Sequence, residues 1–321
     1  MNIADLDVNR DIKIVFMGTP SFAVPVLLGL LENYKVKAVV TQPDKPVGRK
    51  GVITYSPIKQ VALDHTILAL QPKNIKEEWQ DIISLHPDLI VTCAYGQILP
   101  REILVYPKYG CINVHASLLP KLRGGAPIHR AIINGYKKTG VTIMHMAPGL
   151  DTGDIISQSE IDVLDTDTLD TLEEKLSVLG RDLLLKTLPD IISGVAPRIK
   201  QDDSASTYAA NISKEEEKIN FSLSRRNVFN QIRGLNSHPG AYCYMDSKRL
   251  KVYECYITDN TYTNMIDGQI TNIYEDGIGV KVSNGEIVLT VIQPEGKKKM
   301  KASDYLRGLQ DSASLVGKIL E

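Results

Sequence analysis

Apolar residues in the first half of the chain follow two alternating rhythms. Short, nearly unbroken runs at 12–16, 36–41, 89–93, 111–115 and 142–146 predict buried strands. Between them, residues 22–31 and 76–85 repeat apolar positions at helical spacing, and Gly18-Thr19-Pro20 turns the chain after the first run. This β-α-β rhythm predicts a doubly wound, mostly parallel, Rossmann-like α/β sheet. Such sheets place ligands beyond the C-terminal ends of their strands. A longer helix is expected from Thr168, with Leu169, Leu172, Leu176, Leu179 and Leu183 forming one apolar stripe that packs against the sheet. Ser193-Gly194-Val195-Ala196-Pro197 breaks that pattern.

The period changes in the second half. After a short helix at 227–233, five strand-like runs fall at 241–245, 249–257, 269–274, 278–282 and 287–292. Turn signals separate them, and Asn284-Gly285 is a two-residue hairpin signal. Short strands without long intervening helices predict a small C-terminal OB-like β-barrel. The expected organisation is a first domain over 1–194, a polar linker at 195–209 and a β-domain over 210–321.

Charge and composition narrow the function classes. The chain has 321 residues, 37 Lys+Arg and 38 Asp+Glu, a net charge of −1. Up to Ala209 there are 22 basic against 24 acidic residues, and after it 15 against 14. Neither half is a basic coat, so any nucleic-acid contact has to be local. Apolar runs such as Leu89-Ile90-Val91 are far too short to span a bilayer, and the first residues lack a secretory apolar core. Cys93, Cys111, Cys243 and Cys255 form no Cys-x-x-Cys pair, and no His-Glu-x-x-His or clustered His/Cys spacing exists, so no metal is expected. Reduced cysteines fit a cytoplasmic protein.

The densest chemistry lies in Cys111-Ile112-Asn113-Val114-His115-Ala116-Ser117-Leu118-Leu119-Pro120. Residues two apart on a strand face the same side, so Asn113 and His115 can enter one cleft. An amide and an imidazole there can hold a developing oxyanion and move a proton. Asp151 sits in Gly149-Leu150-Asp151-Thr152-Gly153-Asp154, where flanking glycines allow a tight turn that delivers a carboxylate. A carboxylate beside an imidazole favours the imidazolium and fixes its orientation. Taken singly, each piece also reads as an ordinary structural residue. Their order and surroundings raise the catalytic reading.

Asn113-Val114-His115-Ala116-Ser117-Leu118-Leu119-Pro120, followed by Arg123-Gly124-Gly125-Ala126-Pro127-Ile128, resembles the signature of folate-dependent formyltransferases. Thr139-Gly140-Val141-Thr142-Ile143-Met144 and the segment around Asp151 are similar to that family's later motif. The likeness extends to Phe16-Met17-Gly18-Thr19-Pro20, to Thr41-Gln42-Pro43-Asp44-Lys45-Pro46-Val47-Gly48-Arg49 and to Ala94-Tyr95-Gly96-Gln97-Ile98-Leu99-Pro100. It covers nearly all of the chain from Ile12 on, while the stretch before Ile12 is longer than the family pattern.

The resemblance implies 10-formyltetrahydrofolate as formyl donor and no metal. It implies Asn113, His115 and Asp151 as the catalytic set, and folate contacts from Ser117, Leu118, Leu119 and Pro120 and from the backbone of Tyr95, Gly96 and Gln97. The Thr-Gln-Pro-Asp loop points to methionyl initiator tRNA as acceptor, in translation initiation. Arg49, with Lys45 and Lys50, would contact the acceptor end, and the C-terminal domain would contact the tRNA too. Arginine suits bidentate phosphate or base-edge contact. A second basic cluster, Gly296-Lys297-Lys298-Lys299-Met300-Lys301, reads equally as a solvated turn or an RNA contact. A monomer is expected. The rival acceptor is a small amine, such as an amino-sugar nucleotide or glycinamide ribonucleotide. A dinucleotide site is disfavoured, because Gly18-Thr19-Pro20 lacks the Gly-x-Gly-x-x-Gly pattern.

Overall fold

The computed structural model describes residues 11–47 and 51–321. Expectations for Arg49, Lys50 and the stretch before Asp11 therefore lie outside the described residues. The chain divides into two compact units. The first comprises residues up to Pro127 with Lys138–Asp162 and Glu173–Ala210. The second comprises Ile128–Lys137, Val163–Leu172 and Asn211–Glu321.

The first unit is built on a seven-stranded sheet. Its strands are β1 (Lys13–Gly18), β2 (Lys35–Val40), β5 (Leu68–Leu70), β6 (Leu89–Cys93), β7 (Cys111–His115), β8 (Lys138–His145) and β9 (Ile155–Asp162). They lie in the order β5-β2-β1-β6-β7-β8-β9. The run from β5 to β7 is parallel, and β8 and β9 are antiparallel additions at one edge. β9 carries no sequence signal because its outer part, Ser157-Gln158-Ser159-Glu160, is polar and alternates between half-buried and exposed positions. Two further short strands, β3 (Lys45–Val47) and β4 (Val52–Thr54), form a separate hairpin.

Helices cover both faces. On one, Val15, Met17, Val40, Ile90 and Cys111 pack with Ile82 and Ile103. On the other runs the long helix Leu169–Ser193. It approaches closely because Gly180 has no side chain: a Cβ there would lie 2.9 Å from Val114 Cγ1. Its fully buried stripe is Leu172, Leu176, Leu184 and Leu188, and Leu179 and Leu183 sit half-buried beside it. The helical expectation at 76–85 reduces to a short helix at Gln80–Ile83. Ahead of it, Asn74 folds the chain into a turn by bonding Glu77 and Glu78.

The second unit holds an antiparallel sheet of β10 (Ala241–Met245), β11 (Lys248–Ile257), β14 (Gly285–Pro294), β13 (Ile278–Val282) and β12 (Ile270–Ile273), in that order. A short β15 (Met300–Lys301) pairs with β14. Val228, Ile232, Val252, Ile270, Val280, Ile287 and Leu289 fill its core. The C-terminal residues bridge the two edges: Glu321 exchanges main-chain hydrogen bonds with Tyr244 of β10, and Leu320 N donates to Gly268 O (2.8 Å) just before β12. The β13–β14 connection is one residue earlier than its sequence signal. Gly285 pairs with Val282, so Ser283 and Asn284 make the turn. No helix among the described residues is long and apolar enough to cross a membrane.

Candidate active site

β7 lies between β6 and β8, with Thr92 opposite Asn113 and Thr142 opposite His115. Strand alternation sets Asn113 and His115 on the face shared with Cys111, at the C-terminal end of the strand. Asn113 is half-buried, and Thr92 Oγ1 donates to its Oδ1 at 2.8 Å. With Oδ1 held, the Nδ2 group is the free end of the amide. It has no hydrogen-bond partner among the described residues.

His115 is buried and held by two contacts. Its Nε2 lies 3.0 Å from Leu122 O, and its Nδ1 lies 3.7 Å from Asp151 Oδ2. A carbonyl only accepts, so Nε2 carries a proton that points at the protein. Nδ1 is then the ring corner left to exchange a proton, at ion-pair rather than hydrogen-bond distance from the carboxylate. Asp151 adopts φ +50°, a left-handed conformation that costs a residue with a side chain about 1 kcal/mol. Four hydrogen bonds hold it or the turn beside it. Gly124 N donates to Asp151 Oδ2 (2.8 Å), Gln201 Nε2 donates to Asp151 O (2.8 Å) and Gly153 O (2.7 Å), and His145 N donates to Asp154 O (2.9 Å). Gly153 has to be glycine, because a Cβ there would fall 1.8 Å from His145 O.

The Ser-Leu-Leu-Pro stretch is tied down by its backbone. Thr142 Oγ1 donates to Ser117 O (2.6 Å) and accepts from Leu119 N (3.1 Å), and Gln158 Nε2 donates to Leu119 O (2.9 Å). Ser117 itself donates to Lys121 O, which removes it from nucleophilic duty. Leu118 and Pro120 are half-buried. The Tyr95 carbonyl accepts from Thr19 Oγ1 and Gln42 Nε2, both at 3.1 Å, and Gln97 Oε1 accepts from Ile75 N (2.9 Å). The Tyr95 hydroxyl is buried and has no partner among the described residues; burial pushes its pKa up to about 12. Lys45 is exposed at the start of β3, directly after Asp44. Asp44 is held by Lys59 and Gln71, whose hydrogen bonds keep its carboxyl below the usual range.

Sequence reasoning missed three participants: Thr92, Gln201 and the Leu122 carbonyl. All three act on Asn113, His115 or Asp151 from far along the chain or through backbone atoms. The donor set suits a carbonyl-type oxygen. Within the Asn113, His115 and Asp151 set, Asn113 Nδ2 and His115 Nδ1 make no short hydrogen bond to the described residues.

An amide, an imidazole and a carboxylate thus lie together at the C-terminal strand end of β7 in a doubly wound sheet. The chain belongs to the formyl transferase family. A family model described as formyl transferase matches residues 12–188, and one described as the formyl transferase C-terminal domain matches 211–310. Among similar proteins, the methionyl-tRNA formyltransferase of Bacillus subtilis strain 168 is 50% identical over 300 residues, covering 92% of this chain and 94% of that protein. The methionyl-tRNA formyltransferase of Staphylococcus epidermidis ATCC 12228 is 49% identical over 311 residues, covering 96% and 99%. The N-formyltransferase from Helicobacter canadensis, solved with folinic acid and dTDP-3-aminofucose, shares the fold at TM-score 0.64 and 22% identity, covering 88% of this chain and 99% of that one.

Proposed function

We propose that this chain transfers the formyl group of 10-formyltetrahydrofolate to the free amino group of methionyl initiator tRNA. The relatives that are about half identical along nearly their whole length support this acceptor. The observation that carries the chemistry is the placement of Asp151 Oδ2 3.7 Å from His115 Nδ1, with Asn113 on the same strand face.

Bound 10-formyltetrahydrofolate supplies the activated formyl group. The stretches Ser117–Pro120 and Tyr95–Gln97 are the proposed folate contacts, through backbone groups held in fixed positions. When the acceptor amine forms the new C–N bond, charge develops on the formyl oxygen. Asn113 Nδ2 and protonated His115 Nδ1 stabilise that charge, and one such donor is worth ~3 kcal/mol. Asp151 orients the ring and, through a water, passes the proton lost by the amine to the folate nitrogen released as its bond to the formyl carbon breaks. The amine attacks directly, so no covalent enzyme intermediate forms.

For the acceptor, the proposed contacts are Arg49, Lys45 and Lys50, with the C-terminal domain, 210–321, as a second tRNA surface. The aromatic-basic pairs of the second unit support this reading. Arg249 lies 3.8 Å over the Tyr242 ring and Lys299 4.4 Å over that of Tyr253. The four cysteines are free, as in a reducing cytoplasm. A monomer is the proposed functional unit.

The test is formylation by the purified protein with 10-formyltetrahydrofolate, offered methionyl initiator tRNA, uncharged tRNA, an amino-sugar nucleotide or glycinamide ribonucleotide. Formyl transfer to the charged tRNA alone is expected. Transfer to a small amine and none to the tRNA would overturn the acceptor assignment while keeping the chemistry.

A further inference from the structure

The segment 195–209 has the composition of a linker, yet its second half is bonded to the loops around His115. Ile199 exchanges main-chain hydrogen bonds with Ile155 (2.8 and 2.9 Å). Gln201 is buried and uses its whole carboxamide. Nε2 donates to Asp151 O and Gly153 O, and Oε1 accepts from Arg123 Nε (3.1 Å) and Nη2 (2.8 Å). Arg123 is itself buried, and its Nη2 also reaches Asp203 Oδ1 at 2.7 Å. Further on, Thr207 Oγ1 accepts from Leu122 N (2.9 Å) and Thr207 O from Arg123 N (2.8 Å), and Ala209 N donates to Arg123 O (2.7 Å). Gly124 fits beside this strand only without a side chain, since a Cβ would lie 2.8 Å from Ala209 O.

These bonds converge on the two contacts of His115. Gln201 fixes the left-handed turn that carries Asp151, the partner of Nδ1. Thr207 fixes Leu122, whose carbonyl holds Nε2 and whose own φ is +58°. We propose that residues 199–209 are a strap that positions the His115–Asp151 pair for catalysis, and that Gln201 is its chief positioning residue, acting through Asp151. This rests on the catalytic reading of His115 and Asp151 given above. The four bonds of Gln201 need a carboxamide. Only a group that is a double donor at one end and an acceptor at the other can hold two carbonyls and satisfy a buried guanidinium together. Displacement of a reacting group by about 1 Å can cost on the order of a hundred-fold in rate.

Gln201→Glu is the discriminating variant. It keeps an acceptor for Arg123, so the buried guanidinium stays paired, but it sets an oxygen against the Asp151 and Gly153 carbonyls. Formylation kinetics of Gln201→Glu, Asp151→Asn and the double variant should be compared with thermal melting and with binding of 5-formyltetrahydrofolate. The expected result is a folded Gln201→Glu protein that binds the folate normally. Its kcat should fall roughly ten- to hundred-fold with little change in KM. Because Gln201 acts through Asp151, adding Gln201→Glu to Asp151→Asn should cost almost nothing more. A near-native kcat for Gln201→Glu beside an impaired Asp151→Asn overturns the strap and leaves the catalytic reading standing. So does a full, additive loss in the double variant. A near-native Asp151→Asn overturns both. Should Gln201→Glu melt far below wild type, Thr207→Ser and Thr207→Val decide. Loss of kcat in the valine variant only, with folate binding kept in both, supports the strap, and equal kcat values overturn it.

Discussion

Thr92 decides which end of the Asn113 amide faces the cleft, because its hydroxyl occupies Oδ1 at 2.8 Å. Replacing it by valine keeps the shape and frees the amide to turn over. Thr92→Val should lower kcat for formyl transfer roughly five- to ten-fold, about 1 kcal/mol, with folate binding unchanged. An unchanged kcat would show that the amide needs no such support. Asn113 and His115 were legible in the sequence because period two on one strand is enough to bring them together, and Asp151 because glycines flank it. Thr92 and Gln201 were not. Thr92 reads as one more β-branched residue in a buried strand, and Gln201 as part of a polar stretch. Their partners are Asn113 on the neighbouring strand and the backbone carbonyls of Asp151 and Gly153. No local spacing encodes such pairings.

Among the elements, the β3–β4 hairpin is the one that carries the acceptor proposal. Its base is clamped on one side by Asp44, Lys59 and Gln71 and on the other by the Thr41–Ser56 hydroxyl pair at 2.7 Å. Lys59 also lies 4.2 Å over the Tyr55 ring. Arg49 falls between the two strands in sequence. Arg49→Ala should raise KM for methionyl initiator tRNA ten-fold or more, roughly 1.4 kcal/mol or above, and leave 5-formyltetrahydrofolate binding intact. An unaltered KM would remove the hairpin from tRNA recognition. The strands of the parallel core were readable because they are unbroken apolar runs. The hairpin and β9 were not, because Lys45-Pro46-Val47 and Ser157-Gln158-Ser159-Glu160 read as polar connections. What makes them strands is pairing with β4 and β8, not their own composition.

At the scale of the molecule, each unit has its own core and its own buried polar centre. In the second unit that centre is Glu286 of β14, which is fully buried. Burial alone would push its carboxyl up. Hydrogen bonds from Thr271, Thr258 (2.7 Å), Asn260 (2.9 Å) and Tyr274 (2.8 Å) outweigh it and hold the carboxyl below its ordinary range. A depressed folded value contributes stability above the ordinary glutamate pKa, about 4.3, and that contribution is lost as pH falls through the folded value. Glu286→Gln should therefore destabilise the second unit by about 2 kcal/mol at pH 7. The difference from wild type should shrink below pH 4, as followed by urea unfolding. A pH-independent difference would assign the effect to packing instead. The sequence announced a β-domain here through its strand and turn rhythm. A central carboxylate was beyond it, since Glu286 sits in a hairpin strand where an exposed position is the ordinary expectation.

The central claim is that formyl transfer runs on the His115–Asp151 pair with Asn113 beside it. Single-turnover transfer from 10-formyltetrahydrofolate to methionyl initiator tRNA by His115→Ala measures it most directly, with the protein saturated in both substrates. A rate reduced on the order of a hundred-fold or more, with 5-formyltetrahydrofolate bound as by wild type, is the predicted result. A near-wild-type rate from the folded variant would contradict it.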